Sequence, residues 1–207
     1  MSDIDRTPTL IYWKVASRGQ LPLLLLSAGN VKYNYDDATA NAWPAKKEEM
    51  PFGQLPVLKV GDTLIAQSGA IARYCAKISG LMPTDDLEMA TVDAVMEQCN
   101  DVFNSMAKAK YSTLPPKEAW KTFKHEVLPQ KIERINGVLK ASGKAFFGGE
   151  KPNAADISIF SVLNLVEKAG ITLPEWSHVT PLYAAVASVG NIPTYLEQNY
   201  SPYFQAE

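Results

Sequence analysis

Residues 52–69 read FGQLPVLKVGDTLIAQSG, and this stretch decides the fold. It contains two short β-prone runs on either side of Gly61-Asp62, a dipeptide that is typical of a tight hairpin turn. Ser68 stands where its hydroxyl can accept from the free N–H groups of a first helical turn, and the helix can continue through Ile78. The stretch therefore predicts a strand, a hairpin turn, a second strand and a helix.

The residues before this stretch predict a β-α-β unit. Residues 9–13 form a short β-prone run, and residues 21–28 form an apolar run that ends at a Gly-Asn helix stop signal. Residues 31–35 alternate with a period of two, which predicts a second strand. Residues 36–52 form a long connection, and a loop of this length is often functional.

The remainder of the chain has helical patterns. Apolar side chains in residues 87–111 recur at steps of three and four residues, which predicts a long helix facing the core. Residues 156–169 are apolar nearly all round, so we expect a buried central helix there. The sequence therefore predicts an α+β domain over residues 1–80, a linker over 81–87 and an all-α domain over 88–207.

Composition and charge exclude several classes of function. The 207 residues include 20 Lys and Arg against 22 Asp and Glu, a net charge of −2, which argues against nucleic acid as a partner. The longest apolar run, residues 21–26, is far shorter than the roughly 20 residues that span a bilayer, so no membrane insertion is expected. The polar start, residues 1–6, lacks the layout of a secretory signal and predicts a cytoplasmic location. Cys75 and Cys99 have neither CxxC spacing nor a nearby His cluster, so neither a disulfide nor a metal site is expected.

Pro56 heads a predicted strand, which is an uncommon place for a proline. A cis Leu55-Pro56 bond would lock a turn there and leave the preceding backbone groups free to pair with a peptide-like ligand. The alternative is an ordinary edge-strand proline, which is commoner because only about 5% of X-Pro bonds in folded proteins are cis. Both interpretations stay open.

Two groups of residues have the chemistry to bind small carboxylates. Gln67 and Ser68 lie where a strand passes into a helix, and the first amides of a helix carry the positive end of its dipole. Trp43 and the pair Lys46-Lys47 place an indole N–H and ammonium groups in the long connection. The alternatives are a plain N-cap for the first group and a solvated basic turn for the second.

Tyr12 ends the first predicted strand, where its phenol can point into a cleft above the sheet. A phenol has a pKa of about 10, so at neutral pH it can donate a hydrogen bond to a thiolate, alkoxide or enolate. Packing in the core is the alternative for one of nine tyrosines. Ser17, at the start of the next predicted helix, competes for the role of hydroxyl donor.

These motifs together resemble a cytosolic glutathione transferase, and the resemblance covers nearly the whole chain. It is closest to the tyrosine-type classes, particularly the sigma class (prostaglandin D synthase-like), with features shared by the pi class. The motifs that carry it are Tyr12-Trp13, Trp43, Lys47, the block from Pro51 to Pro56, the block from Gln67 to Tyr74, and the capping-box pair Asn153 and Asp156 ahead of an apolar helix.

The resemblance implies a thioredoxin-like N-terminal domain followed by an all-helical domain, in a homodimer that uses glutathione as co-substrate and no metal. It implies conjugation of the glutathione thiolate to small hydrophobic electrophiles, as in detoxification, with isomerase or peroxidase side activity. The alternative is a non-catalytic relative that serves as a structural protein or ligand carrier.

Residue roles follow from the same resemblance. Tyr12 would donate to the glutathione sulfur, and Asp101 would reach the ligand of the neighbouring subunit. Phe52 would contribute an aromatic key to the dimer interface. The other glutathione contacts would come from Leu55 and Pro56 at the cysteinyl part, Gln67 and Ser68 at the γ-glutamyl carboxylate, Trp43 and Lys47 at the glycyl carboxylate, and Gln54 in the same loop. The electrophile would lie among Val15, Ala16, Phe103, Met106 and the tail residues Tyr203 and Phe204.

The loop after Tyr12 departs from the family pattern. Relatives have an Arg-Gly-Arg stretch soon after the tyrosine, whereas here the loop is longer by two residues and reads Arg18-Gly19-Gln20 at its end. The second arginine is therefore missing, which removes a positive charge that could stabilise the thiolate. Ser17 becomes a possible substitute donor, of the kind that serine-type classes use.

Overall fold

The computed structural model describes residues 6–38 and 43–206 of the chain. Residues 1–5, residues 39–42 of the long connection and Glu207 lie outside the described residues, and so do the parts of the sequence predictions that fall on them.

A four-stranded mixed sheet forms the centre of the N-terminal part, in the order β3-β1-β4-β5. The strands in the described residues are β1 (Thr9–Tyr12), β2 (Val15–Ala16), β3 (Asn34–Asp37), β4 (Val57–Val60), β5 (Thr63–Ala66) and β6 (Ser201–Pro202). β1 runs parallel to β3 and antiparallel to β4, and β4 and β5 form an antiparallel pair. The predicted hairpin is confirmed, with Val60 opposite Thr63 across a turn in which Gly61 has a φ of +58°.

The second strand lies later than the alternation predicted. Residues 31–35 were expected to form it, but the strand spans Asn34–Asp37. Val31 instead donates its backbone N–H to the carbonyl of Leu26, so it belongs to the turn that ends the preceding helix. Hydrogen bonding at the helix end therefore overrides the period-two pattern.

Helices make up most of the rest of the described chain. They are α1 (Gln20–Ala28), α2 (Trp43–Glu49), α3 (Ser68–Ile78), α4 (Asp86–Lys110), α5 (Pro116–Thr122), α6 (Leu128–Ser142), α7 (Ala154–Lys168), α8 (Val179–Val186) and α9 (Ile192–Glu197), with a π-helical turn at Phe123–Val127 between α5 and α6. No helix in the described ranges is long and apolar enough to cross a membrane. The fold class predicted from the sequence, an α+β unit followed by a helical one, is confirmed.

One hydrophobic core joins the two parts of the chain. α7 is buried nearly all round, as its apolar pattern predicted, and packs against α1, α4 and α8. The predicted core face of α4 is also confirmed, because Val92, Val95, Met96, Cys99, Val102, Phe103 and Met106 are all buried. The division at residues 81–87 stays a prediction.

A small second sheet was not predicted. β2, in the loop after Tyr12, pairs in parallel with β6, in the C-terminal tail. The backbone N–H of Ala206 also donates to the carbonyl of Ala169 at 2.9 Å. The tail is thereby held against the loop that follows Tyr12.

The predicted capping box at the start of α7 is confirmed. The Asn153 side chain accepts from Ala155 N at 2.9 Å, and the fully buried Asp156 carboxylate accepts from Asn153 N at 2.8 Å. Asp156 also accepts from the backbone N–H groups of Phe147 at 2.9 Å and Gly148 at 3.2 Å. Burial raises the pKa of Asp156 while these N–H groups lower it. One carboxylate therefore joins the preceding turn to the central helix.

We expect Asp156→Asn to lower the free energy of unfolding by about 1.5 kcal/mol, because an amide nitrogen would replace a carboxylate oxygen that accepts two N–H groups. The control is Asp85→Asn, since Asp85 caps α4 from an exposed position and asparagine is an equally good N-cap. Urea denaturation measures both variants. Equal stability losses would contradict the special role of the buried carboxylate.

Candidate active site

An open cleft of about 620 Å³ lies at the end of the sheet where β4 begins and β5 passes into α3. It brings together seven residues that the sequence predicted for glutathione binding: Trp43, Lys47, Gln54, Leu55, Pro56, Gln67 and Ser68. Trp43 and Lys47 come from α2, so the long connection does supply one wall of the cleft.

Backbone geometry at Leu55 fits a peptide-like ligand. The Leu55–Pro56 bond is cis, which was the less common of the two forms left open by the sequence. β4 begins at Val57, opposite Ile11 of β1, so Leu55 lies just beyond the last paired residue of the strand. Within the described part of the chain, the Leu55 backbone forms no hydrogen bond. Its N–H and carbonyl are therefore available to an extended ligand.

The junction of β5 and α3 has an unusual backbone. Gln67 has φ +72° and ψ 116°, a region that favours glycine, and it occupies the N-cap position of α3 without a side-chain hydrogen bond to the helix. The expectation that Ser68 is the cap was wrong, because Ser68 is the first residue of the helix itself. The Gln67 side chain therefore does not cap the first N–H groups of α3, which lie at the cleft. A ligand carboxylate could accept hydrogen bonds from these groups.

Tyr12 ends β1, and the next residue, Trp13, lines the cleft. Tyr12 itself is not among the lining residues, and only 5% of it is exposed. Burial raises the pKa of Tyr12, and hydrogen bonds from the Ser17 hydroxyl and the Arg18 backbone N–H lower it by less. The ring packs on Gly19, where an added Cβ would lie 2.6 Å from the Tyr12 Cδ1 atom. The phenol is therefore fixed in place and protonated at neutral pH, so it is suited to donate a hydrogen bond.

Ser17 is buried, and its hydroxyl lowers the pKa of Tyr12. It lines a neighbouring cavity together with Ser68, whereas the larger cleft is lined by the next residue, Arg18. Which hydroxyl donates to a ligand thiol stays a prediction.

None of the predicted electrophile residues lines the cleft, and Phe103 lines the neighbouring cavity. Val15 is half-buried, whereas Ala16, Met106 and Phe204 are almost fully buried in the core. Phe103 contacts Phe204 edge-on, with ring centroids 5.4 Å apart.

Tyr111, at the end of α4, and Tyr203, in the tail, are more exposed than Phe103 and Phe204. Their hydroxyls form a hydrogen bond with each other. The Lys110 ammonium lies 3.5 Å from the centre of the Tyr203 ring. The hydroxyls of Tyr111 and Tyr203 therefore place polar groups next to the apolar side chain of Phe204, which the Tyr203 ring contacts.

Asp101 does not lie in the cleft. It is on an outer face of α4 with 61% of its side chain exposed, and it forms an ion pair with Lys131 at 3.6 Å. The residue of α4 that lines the cleft is Asn104.

Arg18 and Asn104 are polar cleft residues to which the sequence analysis gave no binding role, and Trp13 and Ala66 also line the cleft. The side chains of Arg18 and Asn104 hydrogen-bond to each other across 86 positions of the chain, a separation that no local pattern reveals. The one available signal was the cation in the lengthened loop after Tyr12. Among the residues that the structure describes, no group of three or more His, Cys, Asp or Glu side chains could hold a metal ion.

Comparisons with known proteins agree with this geometry. Residues 8–77 match the family model of the glutathione S-transferase N-terminal domain, and residues 100–199 match that of the C-terminal domain. A glutathione S-transferase of Anopheles gambiae is 30% identical over 190 residues, which cover 89% of this chain and 93% of the relative. The hematopoietic prostaglandin D synthase of Gallus gallus is 28% identical over 147 residues, 71% of this chain and 73% of the relative.

Among solved structures, prostaglandin synthase D of Nilaparvata lugens matches with a TM-score of 0.82 and 26% identity, over 95% of this chain and 100% of that one. The thioredoxin-like domain and the helical domain implied by the resemblance are confirmed, as is the likeness to prostaglandin D synthase-like transferases. The activity is glutathione conjugation, since both family models and the relatives agree on it. The chain belongs to the glutathione S-transferase family.

Proposed function

We propose that this transferase activates the thiol of glutathione with Tyr12 and adds the thiolate to small hydrophobic electrophiles. The observation that carries the proposal is the convergence of a buried, protonated phenol and a polar cleft at one end of the sheet. A free thiol has a pKa near 8.5, so lowering it by two units requires about 2.7 kcal/mol of differential stabilisation. A hydrogen bond to the charged sulfur together with nearby dipoles supplies stabilisation of that size.

The cleft has complementary groups for each part of the tripeptide. The unpaired Leu55 backbone would pair with the cysteinyl residue, with Pro56 and Gln54 beside it. Gln67, Ser68 and the first amides of α3 would bind the γ-glutamyl carboxylate. The glycyl carboxylate would meet Trp43 and Lys47 on α2.

The electrophile would enter beyond the sulfur, between the loop after Tyr12 and the C-terminal tail. Val15, Ala16, Phe103, Met106 and Phe204 provide the apolar surroundings in this proposal. Isomerase or peroxidase side activity is part of the same proposal, and the likeness to prostaglandin D synthases is consistent with a side activity. Detoxification is the corresponding role.

We also propose a homodimer. The Phe52 side chain is 66% exposed at the cleft, and a partner subunit that covered this ring would remove its apolar surface from water. Asp101 faces outward from α4, where a twofold-related subunit would bring it towards the neighbour's ligand. We expect sedimentation equilibrium to give a molar mass in solution that is twice the mass of one chain.

A cytoplasmic location completes the proposal. The two cysteines, Cys75 and Cys99, are free and buried, which fits a compartment that glutathione keeps reducing.

The test is a pH titration of the ultraviolet absorbance of the thiolate, with glutathione bound to the purified protein. We expect a bound-thiol pKa clearly below the free value of about 8.5. If glutathione binds with an unshifted pKa, or does not bind, a non-catalytic structural or ligand-carrier protein becomes the better account.

A further inference from the structure

Lys46 and Lys47 are neighbours on α2, but their side chains have different surroundings. Lys47 lines the cleft, whereas Lys46 is not among the lining residues. The Lys46 ammonium instead forms an ion pair with the Asp36 carboxylate, with 2.7 Å between Nζ and Oδ2. Successive residues of a helix lie about 100° apart around its axis, so one lysine can face a ligand while its neighbour faces the sheet.

The ion pair joins α2 to the edge of the sheet. Asp36 belongs to β3, the edge strand, and lies opposite Ile11 of β1 in the parallel register. In the part of the chain that the structure describes, the pair is the only side-chain hydrogen bond or ion pair between α2 and another element. Both side chains are partly shielded from water, with 31% of the Lys46 side chain and 41% of the Asp36 side chain exposed. The pair is therefore a specific link between the sheet and a helix of only seven residues.

The start of α2 is held by packing. The Trp43 ring contacts the Trp13 ring edge-on, with ring centroids 5.8 Å apart. Trp43 also packs against a small group of buried side chains, which are Ile11, Ala38, Met50 and Val57. Trp43 and Lys47 are four residues apart, so they lie on the same side of the helix. A rotation of α2 about Trp43 would therefore displace Lys47 from the cleft.

We propose that the ion pair between Lys46 and Asp36 positions α2 so that Trp43 and Lys47 meet the glycyl carboxylate of glutathione. The inference rests on the proposed function and concerns only its glycyl site. Lys46 and Asp36 are positioning residues, because they act on the ligand through Trp43 and Lys47.

A positioning role and a purely electrostatic role of Asp36 have opposite signs. Loss of the Asp36 charge leaves Lys46 unpaired beside Lys47, and the uncompensated positive charge would attract a ligand carboxylate more strongly. The positioning role requires weaker binding instead, because α2 loses its link to β3. The direction of the change in affinity therefore separates the two roles.

The experiment measures the steady-state kinetics of Asp36→Asn with two thiols, glutathione and γ-glutamylcysteine, which lacks the glycyl residue. We expect KM for glutathione to rise about threefold with kcat unchanged, because a partly exposed ion pair contributes modestly and the lost interaction is one of binding. Neither constant should change for γ-glutamylcysteine, since this thiol has no glycyl carboxylate. The control is Asp62→Asn, which removes an exposed carboxylate from the turn between β4 and β5, at the other end of the sheet, and should change neither thiol's constants.

Further variants test whether the pairing of opposite charges is what matters. Lys46→Arg retains the ion pair and should keep KM for glutathione near the wild-type value. Asp36→Lys places two ammonium groups together and should raise this KM more than Asp36→Asn does. Combining Asp36→Lys with Lys46→Asp restores a pair of opposite charges without changing the net charge, and should recover most of the loss. A general defect in folding would not be reversed by this exchange.

The outcomes separate the ion pair from the proposed function. If the wild-type protein has the same KM for glutathione and γ-glutamylcysteine, the proposed assignment of the glycyl carboxylate to α2 fails. If the wild type prefers glutathione and Asp36→Asn lowers its KM or leaves it unchanged, only the positioning role is overturned. Equal increases in KM for both thiols would also overturn that role, because the pair would then support the cleft as a whole and not the glycyl site.

Discussion

Replacing Tyr12 with phenylalanine should return the pKa of the bound glutathione thiol towards its free value of about 8.5 and lower kcat/KM about 100-fold at pH 6.5. The reason is that the phenol is the donor held at the end of β1, and phenylalanine keeps the packing against Gly19 while removing the hydrogen bond. Burial raises the pKa of Tyr12 above its ordinary value of 10.0, so the wild-type phenol remains a donor over about pH 6 to 9. The measurement is the thiolate titration combined with a pH–rate profile.

Two comparisons make the Tyr12 result specific. Tyr74→Phe removes the same hydroxyl from α3, outside the cleft lining, and should leave kcat/KM within about twofold of the wild type. Ser17→Ala removes a hydroxyl that lowers the pKa of Tyr12, and we expect it to have a smaller effect because Ser17 acts through the phenol. Loss of turnover in Ser17→Ala with near-normal turnover in Tyr12→Phe would show that the serine is the thiol donor.

The sequence was informative where the chemistry is local. The Gly61-Asp62 turn, the cap at Asn153 and Asp156 and the apolar face of α4 each depend on neighbouring residues, and each was predicted correctly. The pairing of β2 with β6 could not be predicted, because each strand is two residues long and the two come from opposite ends of the chain. Such contacts depend on the tertiary fold and leave no periodic pattern.

The candidate site was likewise predicted only where its residues lie in short local motifs. Its polar residues fall in short motifs, such as Gln54 to Pro56 and Gln67-Ser68, which the fold brings to one cleft. The sequence analysis gave Arg18 no role at the cleft, because the contacts that orient its side chain are with Asn104 and Phe103 on α4 and not with its neighbours in the loop.

Gln67→Ala should weaken glutathione binding about 30-fold, because it removes a polar side chain that faces the proposed γ-glutamyl carboxylate. Gln67→Gly should weaken binding equally but be more stable than Gln67→Ala by about 1 kcal/mol. The φ of +72° at this position strains any residue with a Cβ, and glycine relieves that strain. Isothermal titration calorimetry measures the affinity, and urea denaturation without ligand measures the stability.

The comparison of glycine with alanine needs a position where strain is absent. Gln98 lies within α4, and there the glycine variant should be less stable than the alanine variant by about 1 kcal/mol, the opposite order. If the glycine variant is less stable than the alanine variant at Gln67 as well, the backbone conformation at Gln67 does not destabilise the protein. If both Gln67 variants bind glutathione as tightly as the wild type, the γ-glutamyl assignment is wrong. The expected combination is a glycine variant that is more stable than the alanine variant and binds glutathione as weakly. It would mean that the chain retains a strained glutamine at the end of β5 because the ligand requires its side chain.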